Sequence, residues 1–312
     1  MLEVISISPE QRFSELAETF SPGTFWRQNE PMARHTTLRV GGAADFYVEP
    51  ISESELAKIV QFCGKNDLPF LVIGRGSNLL VRDGGIRGVV ISLAQQSFSR
   101  IEIEGEHLKC GAGAKLKQVS QEARRHHLTG LEFLEGIPGS VGGALRMNAG
   151  AMESALFDVV ESVRSMDFAG EIFESSADEI EVNYRACPFF KNHIALGATL
   201  HGKIASPKII EKRLKTFNQK RWDSQPPKPS AGCIFKNPQT IPAGKLVEEL
   251  GLKNRRVGGA IVSDLHGNFI VNEGDATARD VLKLIEQIQQ RAKSERGIEL
   301  QTEVEIIGED AP

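Results

Sequence analysis

Cys233 is the residue of this sequence whose setting most suggests chemistry. It follows Gly232 in the segment PSAGCIFKNP, among small, apolar, basic and amide side chains. A thiol has an unperturbed pKa of about 8.5, so near neutral pH it is mostly protonated and can act as a general acid. We expect that capacity to be lost as the pH rises past the thiol pKa. Packing is the alternative, because free cysteine is often a small buried hydrophobe.

The other cysteines give no support to a metal or a disulfide. Cys63, Cys110 and Cys187 form no CxxC pair and have no histidine at zinc-finger spacing. We therefore expect free thiols, no metal and a reducing cytoplasmic location. The sequence also contains no HExxH motif, nucleophile elbow or kinase signature.

Two glycine-rich segments could hold an anionic ligand. The first, Gly74-Arg75-Gly76-Ser77-Asn78, follows a predicted strand, and its glycines would let backbone N–H groups turn inward around an anion while Arg75 adds charge. It fits neither the Walker pattern nor the dinucleotide fingerprint, and a plain tight turn is the alternative.

The second segment is GIPGSVGGALRMNAGA, which we interpret as part of a long glycine-rich loop. Its Ser140 is a candidate hydroxyl donor, and its glycines would allow a flat ligand to approach the backbone. An irregular connection is the alternative for this segment considered by itself. Two such loops in one chain favour a large nucleotide cofactor with its own pyrophosphate.

No local sequence pattern indicates a functional role for two charged residues, Arg185 and Glu303. Arg185 follows Tyr184 between two predicted strands, where a single arginine is usually a solvated charge. Glu303 lies in the predicted final strand QTEVEII, on the face opposite Val304 and Ile306, and residue alternation favours a solvent-facing edge position.

Composition limits the class of protein. The chain has 312 residues, 25% of them charged and 40% hydrophobic, with a net charge of −4 and no long basic run. This predicts two or three domains and argues against sequence-independent nucleic-acid binding. No apolar run approaches the ~20 residues of a membrane-spanning helix. The N-terminal segment has neither a basic region nor a long apolar one, so we do not expect a secretion signal.

The pattern of elements predicts an α+β protein. After a helix-prone N-terminal tail, the first region has a β-α-β unit: a strand near Phe46, a helix with a capping box at Ser52 and Glu55, and the buried strands PFLVIG and VVISL. The middle region has the hairpin RIEIEG and HLKCGAG, a helix over residues 115–127, two strands joined at Ala169-Gly170, and the strand NHIALGATLHGKI.

The third region follows Ser206-Pro207, which predicts a helix start. This helix runs to about Trp222, and a proline-rich connection follows it. Next come a helix over residues 243–250, strands at GGAIVSD and NFIVN, a long helix after Asp275 with Thr277 on its apolar face, and the strand ELQTEVEIIG. We predict domain boundaries at 1–93, 94–205, 206–300 and 301–312, the last segment returning toward the active site.

Several blocks, in order, resemble one enzyme family. They are HTTLRVGGAADFYVEP, VIGRGSNLLV, GIPGSVGGALRMNAGA, YRACPFF, PSAGCIFKNP, the segment from AGKLVEELG to ATARDV, and LQTEVEIIG. They resemble the UDP-N-acetylenolpyruvoylglucosamine reductase (MurB) family over residues 30–308. The resemblance implies an FAD-binding domain of the vanillyl-alcohol-oxidase type, built from two α+β subdomains, and a C-terminal α+β substrate-binding domain.

The same resemblance implies the chemistry. It implies non-covalently bound FAD, NADPH as hydride donor, and reduction of the enolpyruvyl ether of UDP-N-acetylglucosamine enolpyruvate to UDP-N-acetylmuramate in peptidoglycan precursor synthesis. The protein would act in the cytoplasm, as a monomer, with no nucleic-acid or membrane partner.

Residue roles follow from the matching blocks. Cys233 stands where the family usually has a serine proton donor, and Arg185 and Glu303 stand where it has the pair that polarises the substrate carboxylate and stabilises the enol intermediate. The cofactor-binding set implied is Gly74, Arg75, Gly76, Ser77, Asn78, Gly139, Ser140, Gly142, Gly143 and Asn148. The substrate-binding set implied is Tyr184, Arg221, Lys236 and Asn237.

The sequence departs from the family in its linker. Ser224 precedes Gln225-Pro226 where the family often has a lysine, and Lys228 is a candidate to compensate. The short segment after Arg185 resembles the branch that lacks a tyrosine-bearing insertion.

The residues alone leave two other functions open. One is a flavin oxidase or dehydrogenase acting on a small alcohol or hydroxy acid. The other is a nucleotide-binding protein without catalysis, which the cysteine in place of serine keeps open. The blocks SAGCIFKNP and HGNFIVN favour the reductase.

Overall fold

The computed structural model describes residues 9–311. The start of the predicted N-terminal tail, residues 1–8, and the last residue of the predicted C-terminal segment lie outside the described residues. Within the described part, no helix combines the length and apolar character that a bilayer span requires.

Seven α-helices occur among residues 9–311. They are α1 Pro9–Glu18, α2 Glu53–Lys65, α3 Leu116–Arg125, α4 Val141–Met147, α5 Pro207–Ser224, α6 Ala243–Glu249 and α7 Ala278–Arg296. Most match the predicted helices closely. Helix α4 does not: the segment predicted as a long glycine-rich loop contains this helix and a 3-10 turn over Glu132–Gly136. Burial of Val141, Ala144 and Leu145 stabilises α4 despite its two glycines.

The strands form three main sheets. They are β1 Phe25–Pro31, β2 Ala43–Glu49, β3 Phe70–Ile73, β4 Leu79–Val81, β5 Ile86–Ser92, β6 Ile101–Glu104, β7 His107–Gly111, β8 Leu128–Thr129, β9 Gly150–Ala151, β10 Ser154–Ala155, β11 Val160–Asp167, β12 Ile172–Ser176, β13 His193–His201, β14 Lys203–Ile204, β15 Ser230–Cys233, β16 Arg256–Val257, β17 Ala260–Val262, β18 Phe269–Asn272 and β19 Glu305–Ile307.

Each main sheet contributes to the hydrophobic core. The first has the order β1-β2-β5-β3, with β5 parallel to both β2 and β3, and the second is the antiparallel sheet β12-β11-β13-β7-β6. The third is β15-β18-β17-β16, which packs against α6 and α7. This arrangement confirms the α+β prediction, while the residue boundaries of the domains stay a prediction.

The C-terminal strand joins the last part of the chain to the first. Strand β19 pairs in parallel with β4, with Ile306 opposite Leu80. The Asp83 carboxylate accepts hydrogen bonds from the backbone N–H groups of Ala278 and Arg279, at the start of α7. The strand after Gly76 is therefore fixed by the C-terminal part of the chain.

Two helix starts differ from the prediction. The Ser52 hydroxyl accepts from the Glu55 N–H as expected, but the Glu55 carboxylate accepts from Ile51 and Ser21 instead of completing the capping box. Thr277, predicted on the face of the long helix, is instead its N-cap and forms a capping box with Asp280.

Candidate functional site

One large cavity, of about 1140 Å³, lies between the ends of the three sheets. It brings together thirteen of the predicted site residues: Gly74, Arg75, Gly76, Ser77, Asn78, Gly139, Ser140, Gly142, Gly143, Arg185, Arg221, Cys233 and Glu303. These residues come from all three parts of the chain. The remaining four, Asn148, Tyr184, Lys236 and Asn237, do not line it.

The loop after β3, residues 74–78, lines the cavity. Its carbonyl groups are held on the protein side: Gly76 accepts from the Thr37 N–H at 3.2 Å and Asn78 accepts from the Glu305 N–H at 2.9 Å. Within residues 9–311, none of the backbone N–H groups of residues 75–78 donates to the protein. Free, convergent N–H groups are what an anion requires. The residues present therefore fit a pyrophosphate.

Gly76 is required by this loop for two reasons. Its φ of 61° lies in the left-handed region, and a Cβ there would collide with the His35 carbonyl oxygen. The loop therefore lies directly against the residues before Thr37, and its shape depends on glycine at this position.

The second glycine segment fits a flat ligand. The Ser140 Oγ is buried and has no hydrogen-bond partner within the described residues. Gly139 and Gly143 lack a positive φ, and a Cβ on either would come no closer than 3.6 Å to protein atoms. Neither dihedral angle nor packing therefore requires glycine at these two positions, which leaves close approach of a ligand as the physical reason.

Cys233 ends β15 at an irregular point of the third sheet. Gly232, with a φ of 75°, precedes it, and the pairing with β18 shifts register between Ser230 and Cys233. Burial and, to a smaller extent, the Glu303 carboxylate raise the pKa of the Cys233 thiol to about 12, although Arg185 and a hydrogen bond with Asn268 act in the opposite direction. The thiol is therefore protonated at neutral pH. The raised pKa moves the expected loss of this proton to a much higher pH.

Arg185 and Glu303 form an ion pair on the same wall. The Arg185 Nε donates to the Glu303 Oε1 at 2.9 Å, and a second guanidinium nitrogen donates to the Gly150 carbonyl at 3.1 Å. Their side chains are 22% and 16% exposed, so the solvated positions favoured by the sequence are wrong for both. Burial raises the pKa of Glu303, and Arg185 opposes that shift.

The backbone explains how these side chains meet. Arg185 has a φ of 56° in a tight turn closed by hydrogen bonds between Asn183 and Ala186. Glu303 lies in a bend two residues before β19, not within the strand as predicted. Its N–H donates to the Ile234 carbonyl at 2.8 Å, and the Asn78 side chain donates to its carbonyl at 3.1 Å.

The four residues outside the cavity have other contacts. The Asn237 Oδ1 accepts from the Ala243 N–H at 3.0 Å, at the start of α6, and Asn148, with a φ of 40°, ends α4. Tyr184 is 57% exposed, with the Arg185 guanidinium over its ring. Lys236 acts on the site only through its charge, which lowers the pKa of Glu303. Their ligand-binding roles stay predictions.

The candidate replacement for the missing linker lysine is engaged in an ion pair. The Lys228 ammonium is paired with Glu273, which also binds Arg256. The Ser224 hydroxyl donates to the Lys220 carbonyl at 2.7 Å. Arg221 and Lys228 both line the cavity, and compensation by Lys228 stays a prediction.

Sequence reasoning missed two contributors to the cavity wall. Arg146 and Glu305 form an ion pair at 3.0 Å that joins α4 to β19. Asn268 holds Phe235 through two hydrogen bonds, of 2.9 and 2.8 Å, and so fixes the backbone after Cys233. Both lie in family-like blocks, but neither has a local pattern that indicates its partner.

The fold and the cavity define an FAD-dependent oxidoreductase. Residues 44–176 match the family model described as FAD binding domain, and residues 225–307 match UDP-N-acetylenolpyruvoylglucosamine reductase, C-terminal domain. The chain belongs to the UDP-N-acetylenolpyruvoylglucosamine reductase family, as its relatives show.

Two relatives and one solved structure illustrate this. The enzyme of that name from Clostridium tetani is 44% identical over 91% of this chain and 92% of its own length. The one from Geobacter metallireducens is 45% identical over 91% and 94%. The crystal structure of the reductase (MurB) from Thermus caldophilus matches with a TM-score of 0.78 and 36% identity, over 91% of this chain and 98% of that chain.

Proposed function

We propose that the protein reduces the enolpyruvyl ether of UDP-N-acetylglucosamine enolpyruvate to the lactyl ether of UDP-N-acetylmuramate. NADPH is the reductant, and FAD, when bound, supplies hydride transfer between the two. Residues 75–78, Ser140, Gly139 and Gly143 would hold FAD. The main support is that Cys233, Arg185 and Glu303 share one wall of the cavity, with the thiol in its protonated form.

Arg185 is the residue suited to the developing charge. Hydride addition to an enol ether conjugated with a carboxylate places negative charge on that carboxylate. A preorganised guanidinium in a half-buried site stabilises such charge far more than water does. The Glu303 carboxylate and the Gly150 carbonyl hold the guanidinium in place.

Cys233 is the residue suited to proton delivery. Completing the reduction requires a proton on the carbon next to the carboxylate, and the Cys233 Sγ holds one across the ordinary pH range. Action as a cytoplasmic monomer stays a prediction from the sequence.

Anaerobic spectroscopy of the purified holoenzyme tests this function. NADPH should bleach the yellow flavin, and the enolpyruvyl substrate should restore the colour rapidly. UDP-N-acetylglucosamine, which lacks the enolpyruvyl group, is the matched control and should not restore it. Recolouring by oxygen alone, with no response to the substrate, would contradict the proposal and favour an oxidase.

A further inference from the structure

Helix α5 carries a concentration of positive charge that the chain as a whole does not have. Its 18 residues include six basic side chains and only two acidic ones, Glu211 and Asp223, whereas the net charge of the chain is −4. An uneven charge distribution of this kind attracts oppositely charged ions over a longer range than any direct contact. The lysines of this helix take part in none of the site roles predicted from the sequence.

Three of these lysines follow one face of α5 toward the cavity. Lys208, Lys212 and Lys215 are exposed, and their spacings of four and three residues place them on one side of the helix. Trp222 continues that side, is 59% exposed and lines the cavity. The buried residues of the helix lie on its opposite side. Lys208, Lys212 and Lys215, named the lysine stripe below, therefore lead along the surface to the opening of the cavity beside Trp222, over about 21 Å.

The charge of the lysine stripe is not neutralised by a partner. None of its three ammonium groups forms an ion pair within residues 9–311, even with Glu211, whereas Lys228 in the linker is paired with Glu273. Exposed charges act through solvent over the Debye length, which is about 30 Å at 0.01 M salt and about 8 Å at 0.15 M. The whole stripe can therefore attract an anion near Trp222 at low salt, and this attraction weakens as salt is added.

We propose that the lysine stripe steers small polyanionic ligands to the opening of the cavity and so raises their rate of association. The proposal rests on the proposed function, in which substrate and reductant are both nucleotides that contain a diphosphate. The substrate adds a carboxylate and NADPH adds a further phosphate, so both are polyanions. The lysines act during the approach of the ligand and not on the chemical steps. The alternative is a solvated face that contributes only to solubility.

Anaerobic stopped-flow kinetics of the holoenzyme tests the steering in two arms. One arm follows bleaching of the flavin by NADPH, and the other follows recolouring of the reduced flavin by the enolpyruvyl substrate. At about 10 mM salt, the combined changes Lys208→Gln, Lys212→Gln and Lys215→Gln should lower the second-order rate constant of each arm by roughly 3- to 10-fold. At about 0.5 M salt the difference should fall below about 2-fold, because the charges are then screened. The limiting rate at saturating ligand should stay at the parent value.

The matched control removes three lysines elsewhere on the surface. Lys58, Lys65 and Lys283 are exposed, lie on α2 and α7 and do not line the cavity. The combined changes Lys58→Gln, Lys65→Gln and Lys283→Gln alter the net charge equally and should leave both rate constants at the parent value. Flavin content and the thermal midpoint show that each variant is folded.

The outcomes decide the steering and the proposed function separately. Parent-like rate constants of the stripe variant in both arms at low salt overturn the steering, and so does equal slowing of the control variant. Slowing in one arm alone assigns the stripe to that ligand. A flavin that the substrate never recolours contradicts the proposed function, while the NADPH arm still decides the steering.

Discussion

The raised pKa of Cys233 makes a sharp prediction about its reactivity. The thiolate is the form that reacts with alkylating reagents. A thiol with a pKa of 9.0 would be half ionised at pH 9.0, but burial raises the pKa of Cys233 from that value to about 12. Roughly one thiol in a thousand is then ionised at about pH 9. Alkylation by iodoacetamide should therefore be slower, by a factor of roughly 500, than that of a free small-molecule thiol.

The assay follows the labelling of Cys233 by peptide mass spectrometry, with N-acetylcysteine in the same solution as reference. The Cys233→Ser protein identifies labelling at the other cysteines. Labelling of Cys233 at the rate of the reference thiol would refute the raised pKa of this half-buried thiol.

The same pKa predicts the pH profile of product formation. Single-turnover recolouring of the reduced flavin by substrate should show no alkaline loss from Cys233 below about pH 11. Cys233→Ser should keep substantial turnover, because a hydroxyl can give the proton. Cys233→Ala should lose this step by a factor on the order of 10² while reduction by NADPH persists. Turnover of Cys233→Ala at the parent rate would show that the cysteine only packs.

Three further changes test the site and its support. Arg185→Ala should slow recolouring by substrate by roughly 10²–10³ and leave reduction by NADPH near normal, as stopped-flow absorbance of each half-reaction would show; equal slowing of both would indicate a structural role. Gly139→Ala should keep the protein folded, because the nearest protein atom to a Cβ is at 3.6 Å, but should lower the flavin-to-protein ratio after gel filtration; full occupancy would place the flavin elsewhere. Asp83→Ala should cost about 1 kcal/mol in urea unfolding, since it removes the acceptor for Ala278 and Arg279, and an unchanged midpoint would contradict that anchoring role.

Local patterns in the sequence predicted most helices and strands, because the residues that determine each of these elements are neighbours in the chain. The hairpin of β6 and β7 and the turn at Gly170, with a φ of 89°, depend on neighbours in the chain. Helix α4 was missed because its glycines disfavour helix locally, whereas burial against the second sheet stabilises it.

The pairing of the charged residues could not be predicted from their positions. Arg185 and Glu303 lie 118 residues apart, and the first occupies a left-handed turn while the second precedes its strand. Alternation along β19 therefore says nothing about Glu303. Family-like blocks indicated both residues, but their contact depends on the fold of the whole chain.

The parallel pairing of β19 with β4 has a consequence for how the protein is made. The loop of residues 74–78 is anchored through Asn78 to Glu303 and Glu305, and the Asn78–Glu303 hydrogen bond spans 225 residues. On the ribosome, the N-terminal sheet emerges long before these partners exist, and contacts of such separation form late and slowly. The nascent chain therefore completes the loop of residues 74–78 only after β19 has been synthesised. Retention of flavin should then report that synthesis has reached the end of β19, which makes yellow colour a sensitive measure of intact folding.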